Sequence, residues 1–247
     1  MIGNIDLSQL FLFPVKDNEA RRNFIITSLV YLASFIIPIL PLIAIMGYTA
    51  RIMRQVVNGE EPHMTVWDDW ESILKDGLYL FGVRMIYMLP VFVIVIPLSF
   101  GMSFLPLWMD SNQGSAEQFI GLNLLLFAVV MLLIFPISLA LGIIVPAAET
   151  HTIVNNDFAA GFRVREWWAI FRANWSGFLL AYIISLVASM VLSSIVGIAM
   201  ITIVLICLLP FIMPAITAYL TLVMYAAFAH AYKEGKAKLQ QPIANSQ

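Results

Sequence analysis

The sequence predicts an all-α protein, a polytopic bundle of about five transmembrane helices with proline-kinked helices and two interfacial cytoplasmic loops. Composition is the first reason: 61% of the 247 residues are hydrophobic and 11% are charged, whereas a soluble domain has about a quarter of its residues charged. Several uncharged runs exceed the ~20 residues that cross a hydrocarbon core. Between these runs lie two segments that combine charged residues with tryptophan.

The N-terminal residues 1–23 alternate apolar and polar side chains, which is typical of an amphipathic segment lying on the bilayer. Within this segment, Asp17 is predicted to cap the helix that follows. Residues 24–50 carry no formal charge and are predicted to form the first span. Pro38 and Pro41 each remove a helical donor, so we expect a kink in this span. The alternative is a re-entrant hairpin that is broken at the same prolines.

Three further apolar runs follow. Residues 78–109 and 119–148 contain at most one charged residue each, and each is predicted to form one span because it is long enough to cross a membrane. Residues 176–232 are too long for one span at 1.5 Å per residue and are predicted to form two helices. The turn between these two helices is expected near residues 193–197 or 210–214.

The charged segments between the spans are similar in composition. Each of them combines arginine, acidic residues and tryptophan, and each is followed by a span. A shift of 98 residues aligns Asn58 with Asn156, Val66 with Val164, and Trp70 with Trp168. This pattern indicates a possible duplication of a span–loop–span unit.

Lysine and arginine are distributed unevenly around the predicted transmembrane domain, residues 24–232. They occur in the N-terminal segment, in both charged loops and in the polar tail, residues 233–247, whereas residues 110–118 contain none. The positive-inside rule therefore predicts a multi-pass protein of the plasma or inner membrane with both large loops and the C-terminus in the cytoplasm. Five spans would leave the N-terminal segment outside, whereas the re-entrant alternative makes all four basic segments cytoplasmic.

One segment resembles a known family. The run GYTARIMRQVVNGEEP, followed by WDDWESILKDGL and IYMLP, is similar to the hallmark of an uncharacterised membrane family, domain of unknown function 4013. The matching features are the following: Gly47, Tyr48, Arg51, Arg54, the turn Gly59 to Pro62, the cluster Trp67 to Trp70, Gly77, and Tyr87 to Pro90. The sequence departs from the family pattern at His63 to Val66, where a Leu-Pro pair is typical. The resemblance implies a protein with several membrane spans and no assigned reaction.

The candidate site residues come from the charged segments. Arg51 and Arg54 are three residues apart and share one helix face, where we expect them to pair with lipid phosphates or with carboxylates of the WDDW segment. Arg84 and Glu149 are predicted to form a structural clamp between the cytoplasmic ends of the second and third spans. A lipid or partner interface is predicted at ten residues: Arg51, Arg54, Trp67, Asp68, Asp69, Trp70, Arg163, Arg165, Trp167 and Trp168.

No cofactor or metal site is expected, because the loop carboxylates and histidines fit no recognised ligand spacing. Motifs for serine or cysteine nucleophiles are absent, so we predict that the chain is not an enzyme, and no basic module predicts a nucleic-acid partner. The leading hypothesis is a non-catalytic membrane subunit or scaffold whose partners are membrane lipids, other membrane protein subunits or a second copy of the chain. The alternative is a passive carrier or channel for a lipid or small solute. A third hypothesis is a membrane-surface hydrolase that uses the loop carboxylates.

Overall fold

The computed structural model describes residues 7–111, 115–200 and 203–244. Within these ranges the chain has helices and no strands, so the predicted all-α class is confirmed. Two short 3₁₀ helices, Phe13–Val15 and Phe158–Phe162, lie between α-helices. The α-helices have these bounds: α1, Leu7–Leu12; α2, Asn18–Ala33; α3, Leu40–Asn58; α4, Trp70–Ser111; α5, Ala116–Asn155; α6, Val164–Ala173; α7, Trp175–Ala199; and α8, Ile203–Ala244.

Four helical stretches in the described residues are long and apolar enough to cross a membrane: Trp70–Phe104, Glu117–Asn155, Trp175–Ile198 and Cys207–Gln240. Two of them contain most of the predicted spans 78–109 and 119–148. The predicted final pair of helices is present as α7 and α8, but neither expected turn position is correct, because α7 continues to Ala199. In that last part of α7, the Ser194 hydroxyl donates to the Met190 carbonyl, 2.8 Å away, and so bonds to the preceding turn without ending the helix.

The predicted first span, residues 24–50, is not one kinked helix. Helix α2 ends at Ala33 and α3 begins at Leu40. Pro41 lies in the first turn of α3, where a helix needs no amide donor. The chain is therefore broken at the prolines, as the alternative interpretation expects.

The two helices on either side of this break form a hairpin. Ile26 of α2 and Ala44 of α3 line the same groove, which collinear helices would place about 27 Å apart at 1.5 Å per residue. The tip of the hairpin is apolar and exposed: Ile36 is 85% exposed and Phe35 is 70% exposed. Neither arm is among the four membrane-length stretches.

The N-terminal segment packs against α8. Leu10 and Phe13 are buried, and the Tyr219 hydroxyl of α8 donates to the Phe11 carbonyl at 2.9 Å. Asp17 caps α2 as predicted, since its Oδ1 accepts the Ala20 amide at 2.8 Å. Positions 1–6 of this predicted segment and 245–247 of the predicted tail lie outside the described residues.

The chain divides into two compact units. One unit is residues 84–145, and its described side chains are mainly apolar and exposed, which suits helices surrounded by lipid. The other unit is residues 1–83 together with 146–247, and it holds most of the buried core. In that larger unit α8 packs against α2, α3, α6 and α7, and its aromatic core includes Tyr225 and Phe228.

Two glycines set the crossing of α3 and the first part of α4. A Cβ atom added to Gly47 would overlap the carbonyl oxygen of Ile73, and one added to Gly77 would overlap the carbonyl oxygen of Ile43. The two backbones are therefore in direct contact, as small residues allow at helix crossings. This contact brings the arginines of α3 close to the first turns of α4.

Candidate functional site

The Arg51 guanidinium organises the turn that precedes α4. It donates to Oδ1 of Asp68 at 2.8 Å, to the Asp68 carbonyl at 3.0 Å and to the Val66 carbonyl at 3.2 Å. Asp69 completes this turn in the left-handed conformation, with φ of 47°. Of the two expected partners for Arg51, the structure therefore shows a carboxylate of the WDDW segment.

The Arg51 contact also sets the ionisation of Asp68. Its hydrogen bond lowers the pKa of Asp68 below the ordinary value of 3.8, because the bond favours the charged carboxylate. A carboxyl group with a lowered pKa in the folded state stabilises the fold above pH 3.8 and loses this contribution as the pH falls through the lowered value.

We expect Arg51→Gln to raise the pKa of Asp68 towards 3.8. An NMR titration of labelled aspartate side chains in detergent would measure this change. Arg22→Gln removes the same charge from an exposed position and should leave the Asp68 titration where it is. If the pKa of Asp68 were the same in the wild type and in Arg51→Gln, Arg51 would not be the cause of the lowered pKa.

Arg54 makes a buried ion pair that the sequence analysis missed. Its partner is Asp76 of α4, whose side chain is 3% exposed. Nη1 of Arg54 donates to Oδ2 of Asp76, and Nη2 donates to Oδ1 at 2.8 Å. Arg54 Nε also donates to the Ile153 carbonyl of α5 at 3.3 Å. Arg54 thus connects three helices. The sequence signal was an acidic residue just before the apolar run 78–109.

The tryptophans of the WDDW segment pack on α3. The Trp67 ring stacks on the buried Tyr48 ring with centroids 4.4 Å apart, and its Nε1 donates to the Thr27 hydroxyl of α2 at 3.2 Å. Trp70 lies 5.3 Å from Trp67 between ring centroids and is 48% exposed. Trp67 therefore holds the hairpin to the loop, and Trp70 is the member of the pair that is open to its surroundings.

The Tyr48 hydroxyl fixes the loop further, since it donates to the Thr65 carbonyl at 2.7 Å. We expect Tyr48→Phe to lower the free energy of unfolding by about 1 kcal/mol, because it removes this bond and keeps the ring stack. Thermal unfolding of the detergent-solubilised protein would measure the loss. Tyr182→Phe is the matched control, because Tyr182 has no hydrogen bond among the described residues. An equal effect of both substitutions would show that the Tyr48 bond is not the cause.

The second charged loop is built on a different network. His151 is nearly buried; its Nδ1 lies 2.6 Å from the Tyr232 hydroxyl of α8 and its Nε2 lies 3.0 Å from a carboxylate oxygen of Glu166. Arg163 pairs with Asp157 and lies 3.8 Å from Glu166. This network joins α5, α6 and α8 and was not predicted from the sequence.

The two adjacent tryptophans of α6 have opposite environments. Trp167 is 2% exposed and its Nε1 donates to the Gly161 carbonyl at 3.1 Å. Trp168 is 38% exposed and stacks on Phe171 with centroids 5.1 Å apart. Arg165 is also exposed. Of the residues predicted for this interface, Trp167 is therefore part of the core.

The two members of the predicted clamp belong to different compact units, and the two charged loops fold differently. Glu149 is fully buried, whereas Arg84 belongs to the other compact unit, so the clamp between them stays a prediction. The two charged loops differ in structure, since Trp70 begins α4 and Trp168 lies inside the separate helix α6. The hypothesis of a duplication therefore also stays a prediction.

Two open polar grooves lie beside the α3 arginines. A groove of about 500 Å³ and a groove of about 720 Å³ share Arg54 and Asp69 in their linings. Within the described residues, no group of three or more His, Cys, Asp or Glu side chains is placed to hold a metal ion. The charged side chains that line one or both grooves are these: Glu19, Arg51, Arg54, Glu60, Asp68, Asp69, Glu71, Lys75 and Asp76.

Comparison with known protein families gives a match over most of the chain. Residues 30–201 match the family described as protein of unknown function, DUF4013, and this range is more than half of the chain. It includes the GY-R-R-GEEP-WDDW segment and both glycines of the helix crossing, Gly47 and Gly77. No curated protein and no solved structure matches the chain. The chain belongs to the DUF4013 family of proteins of unknown function.

Proposed function

We propose that this protein is a non-catalytic membrane scaffold or subunit whose charged end is a cytoplasmic platform for partner proteins. The observation that carries the proposal is that the ion pairs and ring stacks lie outside the apolar segments that could span a membrane. In the 18-residue apolar segment of each membrane-length stretch, 0%, 0%, 6% and 22% of the residues are buried. The ion pairs Arg51–Asp68, Arg54–Asp76 and His151–Glu166 and the stacked aromatic pairs lie instead in α3, α6, the loops and the adjoining ends of α4 and α5. Spans that bury so little suit contact with lipid or with other helices.

The distribution of positive charge supports the cytoplasmic orientation. Four spans and an N-terminal hairpin bring the N-terminal segment, both charged loops and the C-terminus to one side. The segments that connect α4 to α5 and α7 to α8, residues 105–116 and 199–206, contain no lysine or arginine. An excess of positive charge marks the cytoplasmic side of a membrane protein.

We infer that the α2–α3 hairpin enters the bilayer without crossing it. Helix α2 has 16 residues and is about 24 Å long at 1.5 Å per residue, whereas the hydrocarbon core is about 30 Å thick. Its exposed apolar tip, which includes Ile36, suits a lipid environment. This arrangement also keeps Lys16 and the other N-terminal cations on the cytoplasmic side.

The grooves support binding of a basic partner segment. Two of their three Lys and Arg side chains, Arg51 and Arg54, are already paired inside the protein. Exposed carboxylates such as Glu60 and Glu71 have no ion-pair partner among the described residues. The surface left for a partner is therefore acidic, and lysine or arginine on the partner would complement it.

The experiment is affinity purification in native-membrane nanodiscs followed by native mass spectrometry. Under the scaffold proposal the wild type retains a stoichiometric second protein, and the double substitution Glu60→Lys/Glu71→Lys loses it. Glu117→Lys is the control. Glu117 lies in the first turn of α5, at the opposite end of that helix from the charged loop, so this substitution should leave the complex intact. A wild type without a stoichiometric partner, or equal retention by all three proteins, would reject the proposal.

A passive carrier or channel is the second candidate, and an apolar groove favours it. The groove measures about 360 Å³ and lies between the hairpin arms and the start of α4, with Leu29, Leu40 and Trp70 among its lining residues. Its walls expose no polar atom, so a lipid acyl chain would fit its chemistry. Movement of a labelled lipid or small solute by the purified protein in liposomes would favour this candidate over the scaffold.

A further inference from the structure

Helix α6 has an outer face that combines arginine with tryptophan. Arg165, Trp168 and Arg172 are all exposed, and at 100° per residue they lie within about 60° of one another around the helix axis. The opposite face, with Trp167 and Ile170, is buried. We call the set Arg165, Trp168 and Arg172 the α6 outer face.

The two arginines of this face are not neutralised by acidic side chains of the described residues. Neither Arg165 nor Arg172 has an ion pair or hydrogen bond from its side chain among the described residues. The preceding arginine, Arg163, is paired with Asp157, and Arg51 and Arg54 are paired as well. The α6 outer face therefore keeps two full positive charges.

The α6 outer face is held in a fixed position. Ile170 packs against Gly235 of α8, where an added Cβ would lie 2.5 Å from the Ile170 carbonyl oxygen. At the end of α6 the buried Asn174 donates to the Ala231 carbonyl at 2.9 Å, and its Oδ1 accepts Lys238 Nζ at 2.5 Å. The orientation of the face is thus set by α8.

The position along the chain places this face next to a membrane span. Only Asn174 separates α6 from α7, and the membrane-length stretch begins at Trp175. Trp175 is 60% exposed, as expected for a tryptophan in the interfacial belt. The α6 outer face therefore lies at headgroup level if α7 spans the membrane.

We propose that the α6 outer face is a binding site for anionic phospholipids. The guanidinium groups of Arg165 and Arg172 bind the headgroup phosphates, for which arginine has a matching two-donor geometry. Trp168 inserts its indole at the boundary between headgroups and acyl chains. This inference rests on the proposed function only for the placement of α6 at a membrane surface, and it requires no partner protein.

The test compares lipid retention in nanodiscs that contain equal amounts of phosphatidylglycerol and phosphatidylcholine. Native mass spectrometry of the full chain measures the ratio of the two retained lipids. We expect the wild type to retain phosphatidylglycerol preferentially. Arg165→Gln/Arg172→Gln should reduce this preference by about 30-fold, and either single substitution by about 5-fold, from the strength of one cation at an anionic surface.

Further measurements distinguish the effect of charge from an effect on folding and from binding of free phosphate. Arg165→Lys/Arg172→Lys should keep most of the preference, because the charges remain. Arg21→Gln/Arg22→Gln removes the same charge at another exposed site and should change the ratio little. Added salt should weaken the wild-type preference, and inorganic phosphate at the same ionic strength should weaken it no further, because the site binds the lipid headgroup in its membrane.

Two results would overturn the inference, and both are available from folded protein. One is a wild type that retains the two lipids in equal amounts, which needs no variant. The other is an equal loss of preference in Arg165→Gln/Arg172→Gln and in the Arg21/Arg22 control, which would assign the effect to net charge. Neither result depends on a retained partner protein, so failure of this inference and failure of the scaffold proposal are distinguishable.

Discussion

Gly47→Val is expected to lower the free energy of unfolding by about 3 kcal/mol or more, because a side chain inserted into a close backbone contact forces the two helices apart. The added Cβ would overlap the Ile73 carbonyl oxygen, which cannot move as the end of a flexible side chain can. Gly77→Val should have a similar effect, since its Cβ would overlap the Ile43 carbonyl oxygen. Size-exclusion chromatography of the heated, detergent-solubilised protein would measure the loss of folded material.

The chain contains a matched control for this prediction. Gly197 has no atom within 4 Å of an added Cβ, so Gly197→Val should leave the thermal stability almost unchanged. Stability of Gly47→Val equal to that of Gly197→Val would show that the crossing of α3 and α4 is not a close contact. If Gly47→Val and Gly197→Val were both destabilised, the cause would be the loss of glycine and not the close contact between α3 and α4.

Asp76→Ala is expected to lower the free energy of unfolding by about 3 kcal/mol. Removal of one member of a buried ion pair leaves the other charge without compensation, at a typical cost of about 3–5 kcal/mol. We expect the lower end of that range, because the Arg54 side chain is 30% exposed and reaches water. Thermal or denaturant unfolding in detergent would measure the change.

The contribution of the Arg54–Asp76 pair can be isolated with a double-mutant cycle. Arg54→Ala/Asp76→Ala should be less destabilised than the sum of the two single variants, because neither charge is then left alone. Asp68→Ala is the control, since it breaks an ion pair whose carboxylate is exposed, and exposed pairs contribute little. Additive effects in the cycle, or an Asp68 variant as unstable as the Asp76 variant, would contradict the assignment.

These predictions give the family segment a structural meaning. Gly47 and Gly77 allow the helix crossing, Tyr48 positions the loop and Arg51 pairs with Asp68. Arg54 ties α3 to α4 and α5. The matching residues thus hold α3, the WDDW segment and the start of α4 together, and the proposed binding of lipid or protein would use the exposed side chains around them.

The sequence by itself determined the all-α class, the apolar runs that form the four membrane-length helices and the Asp17 cap of α2. These features follow from local properties, since hydropathy sets which runs can cross a membrane and a capping side chain acts on its own turn. The sequence also predicted a fifth span at residues 24–50, where the structure has the shorter helices α2 and α3. Local pattern also identified the charged loops that hold the site. It did not decide between a kink and a break at Pro38 and Pro41, because both outcomes remove the same donors.

Only the tertiary structure decided which charges pair and which aromatics are buried. Arg54 bonds to Asp76, 22 residues away, because the Gly47–Gly77 contact brings their helices together. Trp167 is buried and Trp168 is exposed, because α8 covers one side of α6. Pairing and burial depend on which elements meet in space, and sequence spacing within one element carries no information about that meeting.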